Sequence, residues 1–433
     1  MPREYAMEIR GAEYKRLIEE EFYPYWRRFR DREYGGILNC ISNDGRQLLS
    51  ERKYAWSQGR WLWILASLYD MARRGSLRLD CGELESWMEE TGGFLAKYVI
   101  SEDGRCCHFL ERDGRAVLDT RTGRRDASIY TDCFVLLGMA QDAQVRRREE
   151  AVPEVSALYN GIAERVAAGN YLTEPYPVPA GYRAHGIPMI LLNVISCYIR
   201  MKKSFGMRCE EEIRYGLELT EDIWNSFYDG SYIREFRKNG SGRTRELLEG
   251  QVNPGHTLED LWFQIEFLKE HGELEKYLSR ICKAAESTFL LGWDSEFGGL
   301  FRFVYRDGGR PRGEGNEEEQ PADSDRAEYE KMVLGTWDSK LWWPHAEALY
   351  LFALLYELTG ESRWQVLYEK SRDYAFSVFP DRCLGEWVQI RRRDGMPEDR
   401  VVALPVKDPF HILRSFIKLV ELAERTSGGT YFE

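Results

Sequence analysis

Residues 253–267 read NPGHTLEDLWFQIEF. Pro254 and Gly255 close a loop, and a helix beginning near His256 sets His256, Glu259 and Trp262 or Phe263 at i, i+3 and i+6 or i+7, which is one helix face. That face carries a base, a carboxylate and an aromatic. An imidazole titrating near ~6.5, with an acid beside it to orient the ring, suits proton transfer at neutral pH. An indole adds flat apolar surface on which a sugar ring can rest. A single helical histidine is equally at home as a hydrogen-bonded structural residue, so the rest of the chain has to decide.

Apolar residues recur at helical spacing on both sides of this stretch, at about 54–73, 83–99, 129–141, 154–168, 187–203, 209–227, 256–271, 275–290, 344–358, 362–378 and 409–425. Between the helices a second pattern returns: an aromatic or glycine pair, a short alternating run, then Asp-Gly. It ends at Asp44-Gly45, Asp113-Gly114, Asp307-Gly308 and Asp394-Gly395. Each reads as a hairpin, because Asp-Gly takes the positive φ values of a tight turn. Related hairpins spaced along a helical chain mark a repeated unit of paired helices. An open solenoid would use the same repeats but leave its end units exposed. Aromatic-rich hairpins suit a barrel mouth better, so the expected fold is all-α: one (α/α)6 barrel, or toroid, spanning residues 1–433 with short β-hairpins at the active-site end. The Gly-, Pro- and acid-rich segment 306–334 is expected to be a mobile loop near that mouth.

The 433 residues include 43% hydrophobic and 13% aromatic side chains, enough for a large core, with a net charge of -12. Such a charge gives no footprint for phosphate backbones or anionic membranes, so neither nucleic acid nor a bilayer is an expected partner. The N-terminus lacks the apolar core of a signal peptide and the longest apolar run, 188–199, is too short to span a bilayer, which points to the cytoplasm. Nine cysteines without a Cys-x-x-Cys pair read as reduced thiols. Six histidines without a His-x-x-x-His spacing indicate no metal site, and no phosphate-cradling glycine loop is present.

Three stretches carry chemistry beside the first. Trp56, Arg60 and Trp63 share a helical stripe; a guanidinium among indoles fits a sugar site and supplies fixed donors for a developing oxyanion. An Arg reaching the surface in a structural ion pair is the plain alternative. In KLWWPHAE (340–347) Pro344 suits a first helical turn, and Trp343 and Glu347 share a face, although an acid there also simply complements the helix dipole. KDPFHILR (407–414) runs from a loop into a helix with His411 in its first turns, a second candidate base.

These clusters, WSQGR (56–60), IPMILLN (187–193), NPGHTLE (253–259), KLWWPHAE and KDPFHILR, with FYPYWRRFRDREYGG near the start, resemble the N-acylglucosamine 2-epimerase family, in order and over residues 22–419. The resemblance implies an (α/α)6 barrel whose pocket moves a proton at C2 of an opened aldose, with His256 and His411 as acid and base. It puts Arg60, Trp56, Met189, Asn193, Glu259, Trp343 and Glu347 at substrate-binding positions. Cellobiose 2-epimerases and mannose or sulfoquinovose isomerases are similar too but carry a further His where this chain has Ile190; Pro188-Met189 looks like the N-acylglucosamine branch. His185 is offset to another part of the helix start. Leu413, where a Pro is usual, and Asp408-Pro409, in place of a Gly-like turn, depart from the family pattern.

The expected function is a sugar 2-epimerase interconverting N-acetylglucosamine and N-acetylmannosamine or a related aldose, with no required cofactor or metal, nucleotide activation left open, and a homodimer as an ordinary assembly. An aldose–ketose isomerase uses the same enediolate and is the nearest alternative. A glycoside hydrolase, with Glu259 and Glu347 as its carboxylate pair, and a silent sugar-binding toroid are further ones.

Overall fold

A computed structural model describes residues 9–240, 244–313, 328–402 and 404–428. Its principal helices alternate between an outer and an inner layer: α1 (Gly11–Leu17, continued by a π turn at Ile18–Phe22 into Tyr23–Arg27), α2 (Ala55–Arg73), α3 (Cys81–Phe94), α4 (Ile129–Arg146), α5 (Val152–Ala167), α6 (Gly186–Ser204), α7 (Glu210–Asp222), α8 (Pro254–Glu270), α9 (Leu278–Gly292), α10 (Trp342–Thr359), α11 (Ser362–Val378) and α12 (Phe410–Gly428). Each even-numbered helix packs on the next, and α12 returns to α2, closing the ring of an (α/α)6 toroid. Each odd-numbered helix lies outside an inner one, with α1 against α12.

The two layers differ in sequence for a physical reason. An inner helix touches neighbours all round, so it is apolar all round; in α10 residues 344–355 are buried without a break. An outer helix buries one stripe: in α5 this is Val155, Leu158, Tyr159 and Ile162, at i, i+3, i+4 and i+7. α2 and α4 cross closely at Gly59 and Gly138, where a Cβ on either would lie 2.2–2.3 Å from backbone oxygen of the other helix. The periodicity read from the sequence misses α1, whose π turn breaks the helical repeat. Its Tyr14 stacks on Phe416 of α12 at 4.9 Å.

The strands, two or three residues each, gather at the N-terminal ends of the inner helices. All four Asp-Gly sites turn with positive φ: Gly45 at 76°, Gly114 at 91°, Gly308 at 97° and Gly395 at 85°. Two close hairpins, Cys40–Ile41 on Leu48–Ser50 and Phe109–Leu110 on Ala116–Val117. The turn at Asp394-Gly395 also closes a hairpin, Arg391 bridging Pro397, whereas Asp307-Gly308 makes only a tight turn, and the strand before each of these two turns has a further partner. Val304–Tyr305 pairs with Gln251–Val252, and Ile390–Arg391 with Lys340–Leu341. These ladders tie the strand leading into α8 or α10 to the loop that leads into the next inner helix. Local turn chemistry sets the bend; the ring sets the partner.

Of the expected loop 306–334, residues 314–327 lie outside the described residues. Its last part is helical: Glu328–Thr336 presents Tyr329, Met332 and Val333 to a small apolar cluster with Phe236 and Phe303.

Candidate active site

A cavity of about 240 Å³ opens where the inner helices begin, and its wall includes Trp56, Tyr130, Met189, His256, Trp343 and His411. These stand in the first turns of α2, α4, α6, α8, α10 and α12, so the positive ends of the helix dipoles surround the space and favour negative charge within it.

His256 is fixed from two sides. Asn253 caps α8, its Oδ1 accepting the His256 N–H at 3.2 Å, with Pro254 as the first helical residue, two positions before the expected start. Gly255 admits the Trp343 ring: a Cβ there would lie 2.3 Å from the indole. The imidazole Nδ1 stands 2.9 Å from both carboxylate oxygens of Glu235. The acid beside this base is therefore Glu235, and not Glu259 as its place on the same helix face suggested. Burial alone would press the His256 pKa down, but the Glu235 charge and hydrogen bond outweigh it and hold His256 above its usual 6.5.

His411 is set oppositely. Its Nδ1 is 2.7 Å from Glu347 Oε1, which leaves Nε2 for the cavity. Burial pushes its pKa down to about 3; Glu259 opposes this, and the charges of Arg60 and Arg414 add to it. Trp343 lies between the two histidines, 5.4 Å from the centroid of each ring. One cavity thus holds an imidazole that keeps its proton more firmly than usual and an imidazole kept neutral, the arrangement that separates an acid from a base.

Arg60 enters the cavity wall with its guanidinium 4.8 Å from Trp56, 3.9 Å from Phe134 and 5.0 Å from Phe410. Trp63 is not beside it; that indole packs edge-on against Phe410, toward the other end of the toroid. Arg60 Nη1 bonds to Asp408 Oδ2, while Asp408 Oδ1 accepts the Phe410 N–H at 2.8 Å at the start of α12. The Asp-Pro departure in this motif thus supplies both a helix cap and a counter-charge.

Glu347 does not line the cavity. It lies beneath His411, 1% exposed, receiving Arg414 Nη2 at 2.6 Å and Trp262 Nε1 at 2.7 Å. Asn193 also falls outside the lining: it is one turn further along α6 than Met189 and Ile190, which do reach the cavity. His185 is buried against Asp260 at 3.0 Å. Glu259 reaches the cavity and bonds to Arg414.

Among the residues that escaped the sequence reading are the two that hold the histidines and their acids in place. Arg414 left a signal, since it follows His411 by three on one helix and a buried arginine needs acids. Glu235 left none. Glu259, Glu347 and His411 bring possible metal-ligand atoms within 4.8 Å of one another, but the Arg414 guanidinium already stands among them as the cation, bonding both carboxylates and 3.3 Å from His411 Nδ1.

The architecture is that of the sugar-epimerase toroids. A solved cellobiose 2-epimerase from Spirochaeta thermophila superposes with a TM-score of 0.75, covering 99% of this chain and 100% of that one at 16% identity. A family model described as N-acylglucosamine 2-epimerase (GlcNAc 2-epimerase) matches residues 35–415, and the chain belongs to that family. It is 28% identical to the N-acylglucosamine 2-epimerase of Mus musculus over 423 residues, which is 93% of this chain and 90% of that protein. It is 29% identical to that of Homo sapiens over 403 residues, 90% and 85%. The protein is an isomerase of the carbohydrate-epimerase class. No helix among the described residues is long and apolar enough to cross a membrane.

Proposed function

We propose that the protein epimerises C2 of a ring-opened 2-acylamino aldose, the N-acetylglucosamine and N-acetylmannosamine pair, using His256 and His411 on opposite sides of that carbon. The observation that carries this reading is the opposite proton affinity of two imidazoles flanking one indole. His411, neutral at pH 7, takes the C2 proton, and Glu347 at 2.7 Å supports the imidazolium as it forms. Arg60, with Asp408 holding one nitrogen, faces the enolate oxygen that develops at C1, aided by the helix N-termini. His256, charged against Glu235, returns a proton to the other face. The product leaves His411 protonated and His256 neutral, the state that runs the reaction backwards. These side chains supply every proton and charge the step needs, so we propose that it requires no cofactor or metal.

An aldose–ketose isomerase would pass through the corresponding enediolate of a 2-hydroxy aldose, but Ile190 brings no third imidazole to the cavity wall. A hydrolase needs two carboxylates facing each other across a bond. Glu259 and Glu347 instead bond to the same nitrogen of Arg414, on one side. The nine cysteines are free thiols, seven of them buried, in keeping with a cytoplasmic protein, and the acidic surface with working partners no larger than a sugar. A homodimer remains an ordinary assembly for such a toroid. Incubation with free sugars in D2O, followed by proton NMR, tests the reading: the expected result is deuterium at C2 with interconversion of the two epimers, and a ketose product would replace it with the isomerase.

A further inference from the structure

Among the described residues the charged groups of the cavity balance in pairs, with one exception. Arg60 is matched by Asp408, Glu174 by Arg121, Glu235 by His256 and Glu259 by Arg414. Arg302 lines the same cavity, 7% exposed, and among the described residues no carboxylate meets it. Its partners are neutral: Thr336 Oγ1 at 2.9 Å and the Val402 carbonyl at 2.7 Å, with the Phe303 ring 5.0 Å away. Burial presses its pKa down to about 10, and nearby Arg400 adds to the excess positive charge. Arg400 itself is paired with Glu398. Beside Arg302 in the wall stands Tyr329, buried, with a hydroxyl that has no hydrogen-bond partner among the described residues, and Tyr176, whose hydroxyl donates to Val402 O at 3.1 Å. The Arg302 charge is felt at His256, so this corner lies within the same electrostatic neighbourhood as the reacting carbon.

A guanidinium taken out of water without a counter-charge is costly, and its planar donors match a carboxylate, phosphate or sulfate. We propose that Arg302, with Tyr329 and Tyr176, forms a subsite for an anionic group carried by the sugar, so that the preferred substrate is an acidic aldose held by its charged end while C2 lies between the histidines. This rests on the epimerase reading for the identity of the sugar, but not for the existence of the subsite. The apolar walls around it, Val178, Phe236, Phe303 and Met332, exclude water and strengthen a charge-assisted bond there.

The test compares kcat/KM for C2 exchange on N-acetylglucosamine with that on its 6-phosphate, its 6-sulfate and the corresponding uronic acid; the three acidic arms tell which anion fits. At least one is expected to exceed the neutral sugar by about 10- to 100-fold, chiefly through KM. In Arg302→Gln that ratio falls toward one, and Arg302→Lys restores part of it. Calorimetric binding of the acidic sugars, to wild type and to Arg302→Gln, reads the subsite without turnover. Binding that needs Arg302 supports it even where no sugar exchanges, a result that would overturn only the epimerase reading. A neutral sugar used as well as every acidic one, or an acidic preference that survives Arg302→Gln, overturns the proposal.

Discussion

His411 and Glu347 meet through a 2.7 Å hydrogen bond from Nδ1 to Oε1, at a carboxylate that is itself buried and held by Arg414 and Trp262. The bond fixes which ring nitrogen faces the cavity and places negative charge behind the base as it gains a proton. Glu347→Gln keeps the shape and removes that charge. We expect kcat to fall about 100-fold with little change in KM. A variant that loses substrate affinity and keeps kcat would mean that Glu347 binds sugar directly.

The two histidines should fail differently. With His256 or His411 replaced by Ala, net epimerisation stops, but the imidazole that remains can still remove the C2 proton on its own side and return a solvent one. We therefore expect one of the two variants to exchange the C2 hydrogen of a single epimer with D2O without inverting it. Near wild-type epimerisation by either variant rules out the two-base assignment.

In the proposed mechanism the working state has His256 protonated and His411 neutral. Because Glu235 raises the His256 pKa above 6.5, kcat/KM should fall as the pH rises through that raised value. In Glu235→Gln the carboxylate is gone and burial dominates, so the falling limb should move to lower pH. Identical pH profiles for the two proteins would show that Glu235 does not tune His256.

Arg60→Ala removes the guanidinium proposed to face the developing oxyanion and should lower turnover by about two to three orders of magnitude, the usual loss for one such donor. Because Asp408 also caps α12, the thermal midpoint of the variant should be measured beside its kinetics. Normal turnover would make the Arg60–Asp408 pair purely structural.

His345, within the KLWWPHAE stretch, accepts the Leu300 N–H at Nε2, 2.8 Å, and donates Nδ1–H to Leu341 O, 2.7 Å. Burial pushes its pKa down to about 3, and that of His108 to about 4. The unfolded chain binds these two protons near 6.5, so the contribution of His345 and His108 to stability is lost as the pH falls from about 6.5 toward 3, while Glu386 and Asp132, whose carboxyls burial pushes up to about 7 and about 6, act in the opposite sense. In His345→Gln the loss of urea midpoint from pH 7 to pH 4 should be smaller than in the wild type, and an equal loss in both would contradict this.

The sequence by itself determined the layers and the local placement of the bases. Period 3.6 separates helices apolar all round from those with one stripe. The start of α8 follows from Asn253, Pro254 and Gly255, and His411 at the start of α12 follows from Asp408-Pro409, because caps and turns act over a few residues. Partnership across the ring was decided by tertiary structure alone. His256 finds Glu235 rather than Glu259, Arg414 binds Glu259 across 155 positions, and Arg60 meets Asp408 across 348. Asn193 and Glu347 sit on suitable helices yet outside the cavity lining, and Arg302 lies inside it with no motif to announce it. Helical spacing fixes which face a side chain takes; how far along that face the cavity extends, and which charge stands opposite, depend on how the inner helices pack when the ring closes.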